Sequence, residues 1–209
     1  MDKAVQEKKQ IKERKVLREA AGWVGPFCAI FVFGVIIMHT IVLHAGVTSG
    51  SMESTIMTND MVLGLRTAYW FSEPQRFDVI VFDDPNAETP GLIREMVINA
   101  INRFRCEQNR IAVPELIVKR VIGLPGEMVE IRGGYVYING MLLEDDVFAR
   151  GFGERRGYFP PTVIPEGHFF VMGDNRNNSL DSRQTGMLAR EYIRARVHFI
   201  IQPSFSTVR

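Results

Sequence analysis

The sequence predicts a mainly β protein: an antiparallel β-sheet domain behind one N-terminal transmembrane helix, with an amphipathic helix inserted among the strands. Three observations predict it. Ala20 to Met52 contains no charged residue. From Met61 onward, short apolar or β-branched runs alternate with turn residues, the pattern of strands. Two glycine-bearing dipeptides, Gly133-Gly134 and Asn139-Gly140, separate such runs at the spacing of two-residue hairpins, whose central residues need positive φ.

Residues 1–19 form a charged, helix-forming segment with seven Lys or Arg against four acids. The apolar core that follows, Trp23 to Leu43, is 21 residues long. As a helix it would span about 31 Å, which matches a bilayer's hydrocarbon thickness. Pro26 falls near its start, where a missing N–H is tolerated. The Lys/Arg excess before the span predicts a cytoplasmic N-terminus. Residues 1–19 are then a cytoplasmic basic segment, 20–44 the transmembrane helix and 45–209 an extracytoplasmic β domain. A cleaved signal peptide is the competing reading. Its apolar region would be about 7–15 residues, so the longer run favours an uncleaved anchor.

Strands are expected at Met61–Arg66, Phe77–Phe82 and Leu116–Ile122. Two hairpins in succession then join Met128–Arg132, Tyr135–Ile138 and Met141–Leu143. Residues 145–163, rich in Gly, Arg, Phe and Pro without a period, read as a long loop. His168–Met172 and Ile193–Ile201 read as the last strands. One segment, Gly91 to Arg110, has a helical stripe of Leu92, Ile93, Met96, Val97, Ala100, Ile101 and Phe104 with arginines around it. Such a helix either packs on its own domain or rests on a membrane surface.

Several function classes are excluded. A formal net charge of +1 is not that of a nucleic-acid binder. Cys28 and Cys106 imply no disulfide framework. No Cys/His cluster has metal-ligand spacing, and no glycine-rich phosphate loop is present. Neither a metal nor an organic cofactor is expected.

The chemistry centres on Ser49-Gly50-Ser51-Met52, which follows directly on the apolar run. Small residues around Gly50 leave the backbone free to present Ser51 at a turn. A serine nucleophile needs a base, and none of His39, His44, His168 and His198 lies in a triad motif. Lys119 is the better candidate, because it interrupts the β-branched run Ile117-Val118-Lys119-Arg120-Val121-Ile122. Burial there would disfavour the ammonium and lower its pKa far enough for a base.

Two further stretches complete a pattern: Lys119-Arg-Val-Ile-Gly-Leu-Pro-Gly-Glu127 and Gly173-Asp-Asn-Arg-Asn-Asn-Ser-Leu-Asp-Ser-Arg183. In this order, after a span with its N-terminus inside, they resemble the type I signal peptidases. These are membrane-bound serine endopeptidases that remove signal peptides from exported proteins. The strand Phe77-Asp-Val-Ile-Val-Phe82 resembles a further block of that family. The resemblance implies Ser51 as nucleophile and Lys119 as general base. It implies that Ser49 forms an oxyanion hole with the Ser51 backbone N–H, and that Ser179 orients the lysine amine. Arg120, Asp174, Asp181 and Arg183 match residues that form supporting ion pairs, although turn capping is an equally simple role for the two aspartates.

The resemblance also implies that the substrate is the C-region of a signal peptide, bound as an extended strand along residues 115–118 and 45–49. Val47, Met52, Ile56 and Val118 would line shallow pockets for the small residues of an Ala-x-Ala cleavage site. Partners would be preproteins and the lipid bilayer, with the enzyme in the cell membrane. Two departures stand out. The residue two after Met52 is commonly proline in that family and is Ser54 here, which is expected to loosen a turn beside the nucleophile. The 91–110 insertion is longer than the usual connection. Alternatives are an organelle inner-membrane processing peptidase and an inactive or regulatory anchored β domain that binds exported segments. The soluble self-cleaving repressors also use Ser and Lys, but the apolar span argues against them.

Overall fold

A computed structural model describes residues 18, 22–35, 37, 38, 40–87, 94, 97, 98, 101, 102, 116–144 and 157–201. The chain divides into two units, Met1–Ile41 and Val42–Arg209. In the first, residues 22–35, 37, 38, 40 and 41 are helical. Trp23, Phe27, Ile30, Phe31 and Phe33 are all more than 60% exposed, so the apolar side chains of this helix face outward. Among the described residues, no helix is long and apolar enough to cross a membrane.

The helix ends earlier than the apolar run suggests. Val42–Gly46 is strand β1, so Leu43 lies in a sheet. The cause is non-local: β1 pairs antiparallel with β2, Met61–Leu65, placing Val42 against Leu65 and Gly46 against Met61. Leu43 and Ala45 thereby reach an apolar cluster that hydrophobicity along the chain does not reveal.

Among the described residues nine further strands follow: β3 (Val79–Asp83), β4 (Leu116–Gly123), β5 (Met128–Arg132), β6 (Tyr135–Ile138), β7 (Met141–Leu142), β8 (Phe159–Val163), β9 (His168–Met172), β10 (Leu188–Ala189) and β11 (Ile193–Ile201). They form a seven-stranded sheet in the order β1-β2-β11-β3-β4-β9-β10 and a four-stranded sheet in the order β7-β6-β5-β8. Every pairing is antiparallel, as the mainly β reading expects. Both hairpins turn at the expected dipeptides, with φ of 57° and 80° at Gly133 and Gly134 and 52° and 80° at Asn139 and Gly140.

Two expectations change. The segment read as a loop over 145–163 contains β8; residues 145–156 lie outside the described residues. Its Pro160-Pro161 pair obscured it, and β8 accommodates them as an edge strand. The strand expected from Phe77 begins at Val79, because Phe77 takes φ 71° and bends the chain. Of the 91–110 stripe, Arg94, Val97, Ile98, Ile101 and Asn102 are helical, and the remainder lies outside the described residues.

Period-2 alternation sorts the core. On β3, Val81 joins one cluster with Met52, Ile56 and Val118, while Ile80 and Phe82 join another with Phe169 and Val171. Ile122, Phe170 and Met172 reach a third cluster with Val129, Ile131 and Ile164 of the smaller sheet's hairpin region. Gly123 sits at that junction. A Cβ there would stand 2.4 Å from Ile164 Cδ1 and 3.1 Å from Phe170 Cβ. Gly123→Ala is therefore expected to destabilise the domain by about 1–3 kcal/mol, the range for overpacking, read as a lowered midpoint in thermal melting.

Candidate active site

The turn that carries Ser51, the expected nucleophile, is built by a cap. Ser49 is extended (φ −113°, ψ 141°), and its hydroxyl accepts from Ser51 N–H at 3.3 Å, starting the 3-10 turn Gly50–Met52. This brings together the two groups expected to face a developing oxyanion. Ser51 is 8% exposed. Beyond it, Glu53 (φ −53°, ψ 146°) and Ser54 (φ 91°) form the centre of a type II turn closed by Thr55 N–H donating to Met52 O at 3.1 Å. Ile56 N–H donates to the same carbonyl at 2.9 Å.

The turn is thus closed by two hydrogen bonds to one carbonyl. Its second central position belongs to glycine by conformation, and a serine there costs about 1–2 kcal/mol. Proline, locked near φ −65°, could not occupy it at all. At residue 54 this chain follows a path that the proline expected by resemblance would exclude.

Lys119 lies in the middle of β4, paired with Ile80 of β3. It is 4% exposed, and its Nζ lies 2.6 Å from Ser51 Oγ. Desolvation by burial lowers its pKa from the ordinary lysine range; Asp181 and Asp174 pull the other way by Coulombic attraction and do not reverse it. The nucleophile and base expected from sequence are in direct contact.

The neighbouring Arg120 forms a two-pronged pair with Asp174, Nε to Oδ1 at 2.8 Å and Nη2 to Oδ2 at 2.6 Å. A second prong pair joins Arg183 Nε and Nη2 to Asp181 Oδ1 and Oδ2, both at 2.8 Å. Both carboxylates are buried. Asp181 also caps the single helical turn Ser182–Thr185 through a capping box with Gln184, and it accepts from Gly173 N–H at 3.0 Å. Capping and ion pairing therefore coexist in one side chain.

Ser179 stands apart. Its Oγ is buried and has no hydrogen-bond partner. It nevertheless borders the site: a Cβ added to Gly173 would stand 2.2 Å from Ser179 Oγ and 2.4 Å from Ser51 O. Sequence reasoning missed Asn175. Its backbone N–H donates to Ser51 O at 3.0 Å and its Nδ2 to Gly50 O at 3.1 Å, lashing the 173–181 loop to the nucleophile turn. Its place in the Asp/Asn-rich run was the one available signal. Arg176, also missed, is buried and donates from Nε to Gly173 O at 3.1 Å.

Val47, Met52, Ile56 and Val118 share one apolar cluster directly beneath the turn. Met52 and Ile56 are almost wholly buried, at 1% and 0% exposure, so they offer little side-chain surface of their own. The strand register leaves two backbone edges. Among the described residues, β1 is the outer strand of its sheet and β9 pairs with β4 only from Arg120 onward, so Leu116–Lys119 is paired there on the β3 side alone.

The family model described as signal peptidase, peptidase S26, matches residues 20–202. A signal peptidase I of Leptolyngbya laminosa is 36% identical over 155 residues, covering 73% of this chain and 66% of its own. A probable signal peptidase I-2 of Synechocystis is 31% identical over 150 residues, covering 72% and 58%. The chain thus spans at most two thirds of the length of these relatives. A crystal structure of a signal peptidase I from Enterococcus faecalis aligns with 30% identity and a TM-score of 0.43, covering 61% of this chain and 98% of that one. With the family model matching from the apolar helix to the end of the last strand, this chain belongs to the signal peptidase family, peptidase S26.

Proposed function

We propose that this protein is a membrane-anchored serine endopeptidase that removes N-terminal signal peptides from exported preproteins. Ser51 is the nucleophile and Lys119 the general base. The observation that carries this reading is the 2.6 Å approach of two buried side chains, a lysine amine with lowered pKa and a serine hydroxyl. In the neutral amine, Ser51 O–H donates to Nζ. As Ser51 Oγ bonds to the scissile carbonyl carbon, its proton passes to Lys119.

The oxyanion that forms takes the Ser51 N–H, released from its bond to Ser49 Oγ, and the Ser49 hydroxyl, whose proton turns toward the same oxygen. The new ammonium has three N–H groups to place. The unsatisfied Ser179 hydroxyl is suited to accept one of them, which is the orienting role proposed for it. Lys119 then delivers the proton to the leaving amine, and water hydrolyses the acyl-enzyme by the same route.

The substrate's C-region lies extended between β1 and the half-open edge at Leu116–Val118, with Val47, Met52, Ile56 and Val118 walling shallow pockets for an Ala-x-Ala site. The outward-facing apolar side chains of residues 23–33 support a bilayer anchor with the N-terminus cytoplasmic and residues 45–209 outside.

Ser51→Ala and Lys119→Ala are each expected to lower preprotein cleavage by about 10⁴-fold or more. Near-normal cleavage by either variant, followed by gel shift of a model preprotein, would sink the assignment. The base must be unprotonated, so cleavage should rise with pH through the Lys119 pKa, at a midpoint below that of an ordinary lysine. A pH–rate profile flat across the neutral to alkaline range contradicts a lysine base. Gly173→Ala would push on Ser179 and the Ser51 carbonyl. It is expected to cut kcat by about tenfold or more with the fold intact by circular dichroism.

A further inference from the structure

We infer that Ser54 is a positioning residue for the cleavage reaction: its left-handed conformation holds the Met52 carbonyl, and through it the nucleophile, in register with Lys119. The inference rests on the reading of Ser51 and Lys119 given above and names a further determinant of the same site.

Ser54 breaks two local rules at once. It adopts φ 91°, where side chains are strained, and its Oγ is buried without a hydrogen-bond partner. Neither feature stabilises the fold locally. Both are tolerated three residues from Ser51, at the second central position of the type II turn. What the conformation provides is downstream. With residue 54 left-handed, the chain reverses so that Thr55 and Ile56 both aim their N–H groups at Met52 O, at 3.1 and 2.9 Å. That carbonyl belongs to the residue directly after the nucleophile. The reversal also carries Ile56 into full burial beside Met52 and sets Thr55 Oγ1 3.5 Å from Arg120 Nη2. The same nitrogen donates to Asp174.

Glu53, at ψ 146°, already has the extended backbone required of a residue before proline. The obstacle to proline at 54 is therefore φ itself. Arg120 bears on a second strained residue as well, donating from Nη1 to the carbonyl of Phe77, which has φ 71°. Arg120 thus bonds one left-handed non-glycine residue, Phe77, and the residue directly after another, Ser54. Such clustering of strain marks places where geometry matters more than local stability.

The test uses the full chain and a model preprotein, with kcat, KM and thermal midpoint measured separately. Ser54→Pro is expected to lower kcat at least tenfold with KM changed less than about threefold. Ser54→Gly adopts the conformation without strain and is the rescue, with a higher thermal midpoint and kcat at least tenfold above that of Ser54→Pro. Should Ser54→Pro fail to fold, Ser54→Val keeps the N–H but resists positive φ, and a three- to tenfold loss in kcat is expected. Wild-type kcat in Ser54→Pro or Ser54→Val, or a Ser54→Gly variant as slow as Ser54→Pro, overturns the inference. Cleavage that depends on Ser51 combined with either result overturns this inference alone. A wild-type chain without Ser51-dependent cleavage overturns the underlying reading too.

Discussion

A lysine amine removed from water and set against a serine hydroxyl is the constraint on which the rest of this structure depends. Burying an ammonium without compensation is costly, and the group responds by shifting toward its neutral form. Lys119 does so, although two carboxylates attract its proton. An unpaired carboxylate at about 4 Å would favour the ammonium by about 4 kcal/mol at an effective dielectric of about 20. Asp174 and Asp181 are each engaged by two nitrogens of an arginine fork, Arg120 and Arg183 respectively, whose positive charge opposes their pull on the amine. The two ion pairs thus have an electrostatic purpose beyond rigidity. The Asp181 carboxylate also accepts from the Gly173 and Arg183 backbone N–H groups, so it organises the loop while the amine is left to lose its charge.

The fold delivers these parts from distant points in the chain. β1 leads into the Ser51 turn, β4 carries Lys119 between β3 and β9, and the loop after β9 returns to grip the turn through Asn175. Gly173 is the point of closest approach, where any side chain would meet Ser51 O. Because β9 joins β4 only at Arg120, the same topology that places the lysine leaves the backbone before it, among the described residues, without a partner on that side. The Ser51–Lys119 contact and the one-sided strand edge come from one register.

What could be read from the sequence was what local chemistry encodes. Gly133-Gly134 and Asn139-Gly140 specify their turns without help from elsewhere, and both hairpins form there. A lone lysine in a β-branched run announced its own burial. The rest depends on contacts made across the chain. Leu43 looked like the end of a helix because only β2 makes it a strand. Pro160 and Pro161 suggested a loop because an edge position is invisible along the chain. Ser54 was noticed as a missing proline, but its left-handed backbone belongs to a turn defined by Met52 and Thr55 together. Asn175 and the unsatisfied Ser179 hydroxyl have meaning only once Ser51 stands opposite them.

The central claim is that Lys119 is neutral when it meets Ser51. After Lys15 the sequence contains no lysine other than Lys119, so its side chain can be observed almost without overlap. Carbon-13 and nitrogen-15 labelling of lysine, followed by an NMR pH titration of the full chain, measures the amine directly. The account predicts one lysine titrating below the ordinary range, with that signal absent in Lys119→Ala. A Lys119 resonance that titrates together with the lysines of residues 3–15 would contradict it.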